Sequence, residues 1–515
     1  MPASVFDATT LADPPGVTNR QGQLKGPLSQ DNRESEPEEH FDFRHCYNLI
    51  FRVDRMAEKF YLATFGCRVN QADSAALKVQ LEREGMRESE SAADCSVIVL
   101  NSCTVTHRSD RQLRQLARKL RRENPGAKLV VTGCYAQRDP QALAGMQEID
   151  LVLGNLEKGR IAEFVGDGLL TAHRPLPAAH CSPPIASAVS VSLPSYFHPS
   201  KVVVSDLSRE TEIEVQPVAT LGGKTRPFVK IQEGCDARCS YCVIPQVRGV
   251  GRSVPIASLI RQVHALVCEG CKEIVLTGIH LGSYGSKLKP RARLEDLLRC
   301  LLEIPGLEQI RLSSIEPMRF SPGLIDLAAE DRRLAPHFHL PLQSGADEVL
   351  RWMRRAYDVG RFADLVGEIH ERLPHACIGT DVMAGFPGET EALFDQTCRF
   401  IEQMPFSYLH VFPFSRRSGT PAAGMADQVR ESDKSRRVEV LRQLSARKLR
   451  AFEDQFAGQT LRALVLNEHE GSEWIGLTGN YLKLRLPLES PRANEFIRVT
   501  IERRGECLYG IPAQN

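Results

Sequence analysis

Six cysteines stand in positions that could do chemistry together. Cys235, Cys239 and Cys242 lie in a C-x3-C-x2-C spacing between Gly234 and Pro245, with Tyr241 just before the last of them. Three thiolates on one tight loop can hold three irons of a [4Fe-4S] cube and leave the fourth iron without a protein ligand. An open iron can bind and reduce a small molecule, whereas a cube held at all four corners only passes electrons. The competing chemistry is a zinc ribbon, because Cys268-x2-Cys271 follows Cys239-x2-Cys242. Against zinc, Ile256, Leu259, Ile260, Val263, Leu266 and Val267 give the intervening stretch a helical spacing, and Cys271 leads into the strand-like Glu273-Ile274-Val275-Leu276. A ribbon also leaves Cys235 without a role.

The other three cysteines, Cys67, Cys103 and Cys134, are far apart in sequence and need elements to gather them. From Phe60 to Phe164 strand and helix patterns alternate, with strands at Phe60–Phe65, Val97–Leu100, Leu129–Thr132 and Leu151–Leu153. That order predicts a parallel, flavodoxin-like sheet with helices on both faces. Each of the first three strands ends in one of the cysteines, two of them directly after glycine. Strand ends of a parallel sheet share one rim, where ligands bind. Buried cysteine often acts as a small hydrophobe, but three at equivalent places favour a second three-cysteine [4Fe-4S] site. The helix after Cys103 carries Leu113, Leu116, Ala117 and Leu120 on one face and Arg111, Arg114, Arg118, Lys119, Arg121 and Arg122 elsewhere. Such a run is usually a solvated face; an RNA-backbone contact is the testable rival.

The loop cysteines open a second α/β pattern. Strand-like segments at Phe228–Glu233, Glu273–Thr277, Gln309–Ser313, His337–Leu340, Cys377–Ala384 and Tyr408–Phe412 alternate with helical ones. Six βα units suit an open barrel, whose active site belongs at the carboxyl ends of its strands. Polar and glycine-rich segments fall there, at Thr277–His280, Ser313–Pro317, Gln343–Gly345 and Gly385–Glu389, outlining a bowl that faces the loop cysteines. His337 and His339 read as hydrogen-bonded structure with no acid–base role. A basic helical stretch, Arg430 to Arg450, leads into five short strands that suit a small OB-like barrel, a fold that commonly binds RNA.

These patterns divide the chain into an unstructured extension (1–55), a sheet domain (56–165), a Pro-, Ser- and Ala-rich linker (166–225) with extended segments at Val189–Leu193 and Lys201–Val204, a barrel domain (226–450) and a C-terminal domain (451–515). Fifteen cysteines in a chain with neither an export signal nor a membrane-length apolar run point to a reducing, cytoplasmic setting and metal–sulfur chemistry. A net charge of +1 supplies no global pull toward nucleic acid, so RNA contact must come from local clusters.

The chain from Met56 to Pro512 resembles the radical S-adenosylmethionine (SAM) methylthiotransferases. The resemblance rests on Gly66-Cys67-Arg68-Val69-Asn70-Gln71, Asn101-Ser102-Cys103-Thr104-Val105-Thr106, Gly133-Cys134-Tyr135-Ala136-Gln137, the C-x3-C-x2-C loop, His339–Gly345 and Thr380–Glu389. It implies a radical-SAM barrel, a C-terminal TRAM domain and two [4Fe-4S] clusters. Cys235, Cys239 and Cys242 would hold the cluster that exchanges with SAM, and Cys67, Cys103 and Cys134 the auxiliary one. Tyr241, Gly278, Ser314, Glu316 and Gln343 would contact SAM. Cluster and SAM together would generate a radical that takes hydrogen from C2 of an adenine, and the auxiliary cluster would carry the methylthio group. Gly-Cys-Arg-Val-Asn-Gln is most similar to the branch that modifies N6-threonylcarbamoyladenosine at position 37, in the anticodon stem-loop of tRNA. The isopentenyladenosine branch more often has Gly-Cys-Gln-Met-Asn there, and the branch acting on a ribosomal-protein aspartate Gly-Cys-Pro-Lys-Asn. Glu233 stands where the family often has Asp, and Ala72 where Tyr is common. A flavodoxin or ferredoxin as electron donor and a separate sulfur source are implied as partners. Those two sister activities, and a non-catalytic RNA-binding protein with a structural metal, are the alternatives.

Overall fold

The structure is a computed structural model and describes residues 58–165, 201–207, 210, 213, 225–487 and 492–513. All of these lie in one compact unit, Ala57–Asn515. The expected tail at 1–55, the extended segment at Val189–Leu193 and most of the linker lie outside the described residues. No helix among the described residues is long and apolar enough to cross a membrane.

Six parallel strands form the N-terminal sheet: β1 (Lys59–Thr64), β2 (Arg87–Glu88), β3 (Val97–Ser102), β4 (Lys128–Gly133), β5 (Leu151–Leu153) and β6 (Val202–Val203), in the order β2-β1-β3-β4-β5-β6. The central strand β3 is buried along its whole length, as a parallel strand covered by helices on both faces must be. One strand differs from the sequence reading: β2 is an exposed two-residue edge too short to show periodicity. β6 falls in the extended segment expected at Lys201–Val204 within the linker, and pairs Val202 with Val152 and Val203 with Leu153. The helix His107–Glu123 is capped by Thr106, whose hydroxyl accepts from the Ser109 amide, and buries Leu113, Ala117 and Leu120.

The central region is an open arc of parallel strands. β7 (Phe228–Lys230) opens it, and the next pair, β8 (Gln232–Glu233) and β9 (Arg252–Ser253), forms a small antiparallel clasp that carries the chain into and out of the cysteine loop. β10 (Glu273–Thr277) and β11 (Gln309–Leu312) pair in the order β11-β10-β7, and β12 (His337–His339), β13 (Cys377–Ala384) and β14 (Tyr408–Pro413) pair in the order β12-β13-β14. Single parallel bridges, Ile310 to Leu334 and Ser314 to His339, join the two halves. Leu276, Ile310, Phe338 and Ile378, all buried, fill the core between this arc and its helices.

A long helix, Glu431–Asp454, leads to a closed five-stranded barrel of β15 (Thr460–Glu470), β16 (Glu473–Thr478), β17 (Lys483–Leu486), β18 (Phe496–Arg504) and β19 (Cys507–Pro512). Its β16–β17 turn docks among the amino ends of β11, β12 and β13. Arg311 donates to the carbonyls of Gly479 (2.8 Å) and Thr478 (3.1 Å), and Asn480 donates to that of His375 (3.3 Å).

Candidate active site: a cavity between two cysteine triads

The carboxyl ends of β1, β3 and β4 bring Cys67, Cys103 and Cys134 to one rim. Gly66 and Gly133 both sit at φ +93°, where only glycine is unstrained, and each is packed too tightly for a side chain. A Cβ on Gly66 would come 2.6 Å from Cys103 Cβ, and one on Gly133 would come 2.5 Å from the Ser102 carbonyl. The two Gly-Cys pairs therefore exist to let neighbouring strand ends approach. Burial pushes the Cys103 thiol up to about 12, with Cys134 and Cys67 adding to the rise. Cys67 is open to solvent, but only within a cavity; the surrounding protein raises its thiol against the pull of Arg248.

The second triad sits on an irregular loop that starts at Gly234, φ +70°, where any side chain would strike the Val250 carbonyl. The Cys242 amide donates to the Cys239 carbonyl (3.2 Å), and the Ala237 amide to Cys235 Sγ (3.4 Å). Burial lifts the Cys242 thiol to about 12 and the Cys235 thiol to about 11, and the neighbouring cysteines raise both further. Arg355 donates to Cys239 Sγ (3.3 Å) and ion-pairs Glu316. Tyr357 Oη donates to the Pro341 carbonyl (2.7 Å), so the loops after β11 and β12 are tied to the cysteine loop.

A cavity of about 650 Å³ is lined by Cys67 of one triad and Cys242 of the other. Tyr241, Gly278, Ser314, Glu316 and Gln343 all line it. Gln343 holds φ +71° and its Oε1 is buried without a hydrogen-bond partner, a side chain poised for something not of the protein. Phe412, Phe414, Met383 and Ile244 supply apolar wall. Burial alone would raise the Asp381 carboxyl, but His339 (3.0 Å) and His410 (3.4 Å) hold it well below the ordinary range. These three are also the one group among the described residues drawn close enough to ligate a single ion. Tyr408 Oη bridges His337 Nε2 (2.9 Å) and His339 Nδ1 (3.2 Å), the structural role expected for these histidines.

Sequence reasoning missed the charge network that locks sheet to barrel. Arg248, fully buried, reaches Cys134 Sγ (3.2 Å), Asp73 (2.8 Å), Glu233 and Asn70. Lys158 pairs with Asp73 (2.5 Å), and Lys230 bridges Asp73 (2.6 Å) and Glu233 (2.7 Å). Burial would raise Glu233, but Lys230 and Arg248 bring it down to about 2. The Glu at this place is thus the partner of two cations, Lys230 and Arg248.

The zinc alternative finds no support among the described residues. Cys268 is exposed beside His264, while Cys271 is buried and donates to the Glu273 carbonyl, so they belong to a helix-to-strand connection.

Comparison with known proteins bears on this arrangement. Residues 59–154 match the model described as "Uncharacterized protein family UPF0004", and residues 229–401 match the Radical SAM superfamily. A threonylcarbamoyladenosine tRNA methylthiotransferase MtaB from Aquifex aeolicus is 37% identical over 83% of this chain and 96% of its own length. Its counterpart from Bacillus subtilis is 33% identical over 86% and 93%. The chain belongs to the radical-SAM methylthiotransferases, and within them to the MtaB type. A tRNA-2-methylthio-N(6)-dimethylallyladenosine synthase from Methylacidiphilum infernorum is 30% identical over 88% of this chain and 94% of its own length. Among solved structures, the radical SAM methyltransferase TsrM from Kitasatospora setae aligns over 71% of this chain and 74% of its own, at 18% identity and a TM-score of 0.49.

As a radical-SAM methylthiotransferase the protein uses SAM and an iron–sulfur cluster. The donor sets fit such a group. All six cysteines are free, and neither triad is tight enough to ligate one ion, as suits the corners of a larger cluster. Thiols raised as Cys103 and Cys242 are would be poor nucleophiles by themselves, and a metal that displaces their protons gives them a use.

Proposed function

We propose that the protein converts N6-threonylcarbamoyladenosine at position 37 of tRNA to its 2-methylthio derivative. In this reading Cys235, Cys239 and Cys242 hold the [4Fe-4S] cluster that exchanges with SAM, and Cys67, Cys103 and Cys134 hold a second, auxiliary cluster. The observation that carries it is one cavity lined by a cysteine of each triad, Cys67 and Cys242. When bound, the two groups supply the electron that cleaves SAM to a hydrogen-abstracting radical and the sulfur that becomes the methylthio group.

The residues themselves position, shield and balance charge. Arg355 fixes Cys239 and Glu316 together, so the cavity edge proposed for SAM cannot drift from the cysteine loop. Gln343, Gly278, Ser314 and Tyr241 are the remaining SAM contacts in this reading. The apolar wall of Met383, Phe412 and Phe414 keeps water from a radical reaction. Arg248 keeps sheet and barrel in register at the place where sulfur must meet carbon. An adenine can enter only unstacked, which an anticodon loop allows.

The domain division at 56–165, 226–450 and 451–515, RNA binding by the C-terminal barrel, a flavodoxin or ferredoxin as electron donor, a separate sulfur source and a cytoplasmic location complete the proposal. The deciding experiment is mass spectrometry of tRNA nucleosides from a deletion strain and its complemented parent. Loss of 2-methylthio-N6-threonylcarbamoyladenosine with accumulation of its precursor is expected. Loss of the isopentenyl product alone would assign the enzyme to the sister branch.

A further inference from the structure

We propose that Arg68 reads the carboxylate at the end of the threonylcarbamoyl group, and so selects this substrate over adenosines with a neutral N6 substituent. The inference rests on the substrate class proposed above. Arg68 follows Cys67 and is the one arginine or lysine among the described residues that line the cavity. Among the described residues it makes no ion pair with a carboxylate, and its one side-chain hydrogen bond is a long contact to Tyr481 Oη (3.4 Å). The two carboxylates of the cavity are already engaged, Glu316 by Arg355 and Asp381 by His339 and His410. A cation at the first position of the helix Arg68–Arg83 also opposes the helix dipole, so local stability does not explain it.

An anion from outside the protein does explain it. A guanidinium presents paired N–H donors whose fork matches a carboxylate. Tyr481, at φ +69° in the docked β16–β17 turn and stacked on His337 at 4.2 Å, braces one edge of Arg68 and leaves other donors available. C2 and N6 lie on the same edge of adenine. A base that presents C2 to Cys67 therefore brings its N6 substituent toward the neighbouring Arg68. A tRNA phosphate is the other anion that could reach it.

The test uses the full-length, cluster-loaded enzyme with SAM and no reductant, so that binding is read without turnover. Three anticodon stem-loop RNAs carry at position 37 threonylcarbamoyladenosine, its methyl ester or N6-dimethylallyladenosine. Wild type should hold the acid roughly ten- to hundredfold more tightly than the ester, the worth of one charge-assisted fork. Arg68→Gln should lose that preference while still binding the ester, and Arg68→Lys should keep part of it. The same pattern should appear with reductant as a rise in KM for the acid alone. Equal wild-type affinity for acid and ester overturns the proposal even if no variant folds. A uniform loss on all three RNAs in Arg68→Gln overturns it in favour of phosphate. Failure of wild type to methylthiolate the acid RNA would instead overturn the substrate reading itself.

Discussion

The two cysteine triads reach one cavity by opposite routes. Cys67, Cys103 and Cys134 follow three separate strand ends, so it is the sheet that gathers them. Cys235, Cys239 and Cys242 share one irregular loop. Each triad accepts one guanidinium hydrogen bond, Cys134 from Arg248 and Cys239 from Arg355, at nearly equal length (3.2 and 3.3 Å). Their wider surroundings differ in charge. Around Cys134 three cations, Arg248, Lys158 and Lys230, face two carboxylates, Asp73 and Glu233. Around Cys239, Arg355 faces Glu316 alone. Positive surplus and N–H···S bonds both favour added electrons on an iron–sulfur group. Spacing selects what can bind at a triad, and residues remote in sequence set its electrostatics.

Cysteine substitutions give the largest effects and test whether the triads are separable. Cys239→Ala should abolish reductive cleavage of SAM. Cys103→Ala should retain cleavage, lose methylthiolation and bind less iron. Normal methylthio product with a full complement of iron in Cys103→Ala would leave the sheet triad without a catalytic part.

The two arginines come next. Arg248→Met leaves buried Asp73 and Glu233 short of a cation, which costs about 3–5 kcal/mol when a buried network loses one partner. Arg355→Met strands only Glu316, which faces the cavity, and should cost about 1–3 kcal/mol. Anaerobic urea titrations of both variants measure the difference. With both triads loaded, potentiometry should show the sheet triad as the more easily reduced site, and a lower potential there in Arg248→Met. Equal costs and equal potentials would break the contrast in charge.

How far the chain revealed these features follows from the same contrast. The loop triad was legible because its geometry is local: eight residues fix the spacing. The sheet triad was legible because parallel strands end on one rim, so three strand-end cysteines announce themselves without a motif. Arg248, Asp73, Lys158 and Lys230 were not, since their pairings join residues up to 175 positions apart and charge has no period. A two-residue strand such as Arg87–Glu88 is too short to alternate. Tyr481 reads as an ordinary barrel residue; a bulky side chain between Asn480 and Leu482 in a tight turn was the only hint. The basic helices were half read. Arg114 donates to Tyr135 Oη (2.5 Å) and Lys448 to the Met404 carbonyl (2.7 Å), so each has an internal task that composition could not show.

Acid should separate the two halves of the molecule. His337 lies in the barrel, and burial, with Arg311 and Arg68 nearby, holds its imidazole well below the usual range. Burial lowers His280 and His375 too, whereas His107, the only histidine of 58–165, is exposed. A depressed folded-state pKa contributes stability that is complete above the unfolded value, about 6.5, and is lost as pH falls from there. The slope is about 1.4 kcal/mol per pH unit for one such group. His337→Phe should flatten the decline between about pH 6.5 and 5 by that amount in equilibrium unfolding. An unchanged slope would mean His337 takes up its proton in the folded protein.

Surface charge gives the smallest effects and asks which half meets the RNA stem. Arg114 and Lys448 are poor probes, since reversing them breaks internal bonds. Arg118 and Arg447 are the cleaner pair: their side chains are 55% and 65% exposed, and their contacts to Glu148 and Glu402 are long, at 3.8 and 3.6 Å. A cation that touches phosphate contributes about 0.7–0.9 to the slope of log affinity against log salt. Arg118→Glu and Arg447→Glu should each weaken tRNA binding a few-fold and flatten that slope, with equal losses on acid and ester RNAs. A response at Arg118 alone would lay the stem along the sheet, on the side of Cys67. A response at Arg447 alone would lay it along the long helix that leads to the small barrel. No response at either would return both helices to the solvated reading and leave RNA affinity to the cavity and the C-terminal barrel.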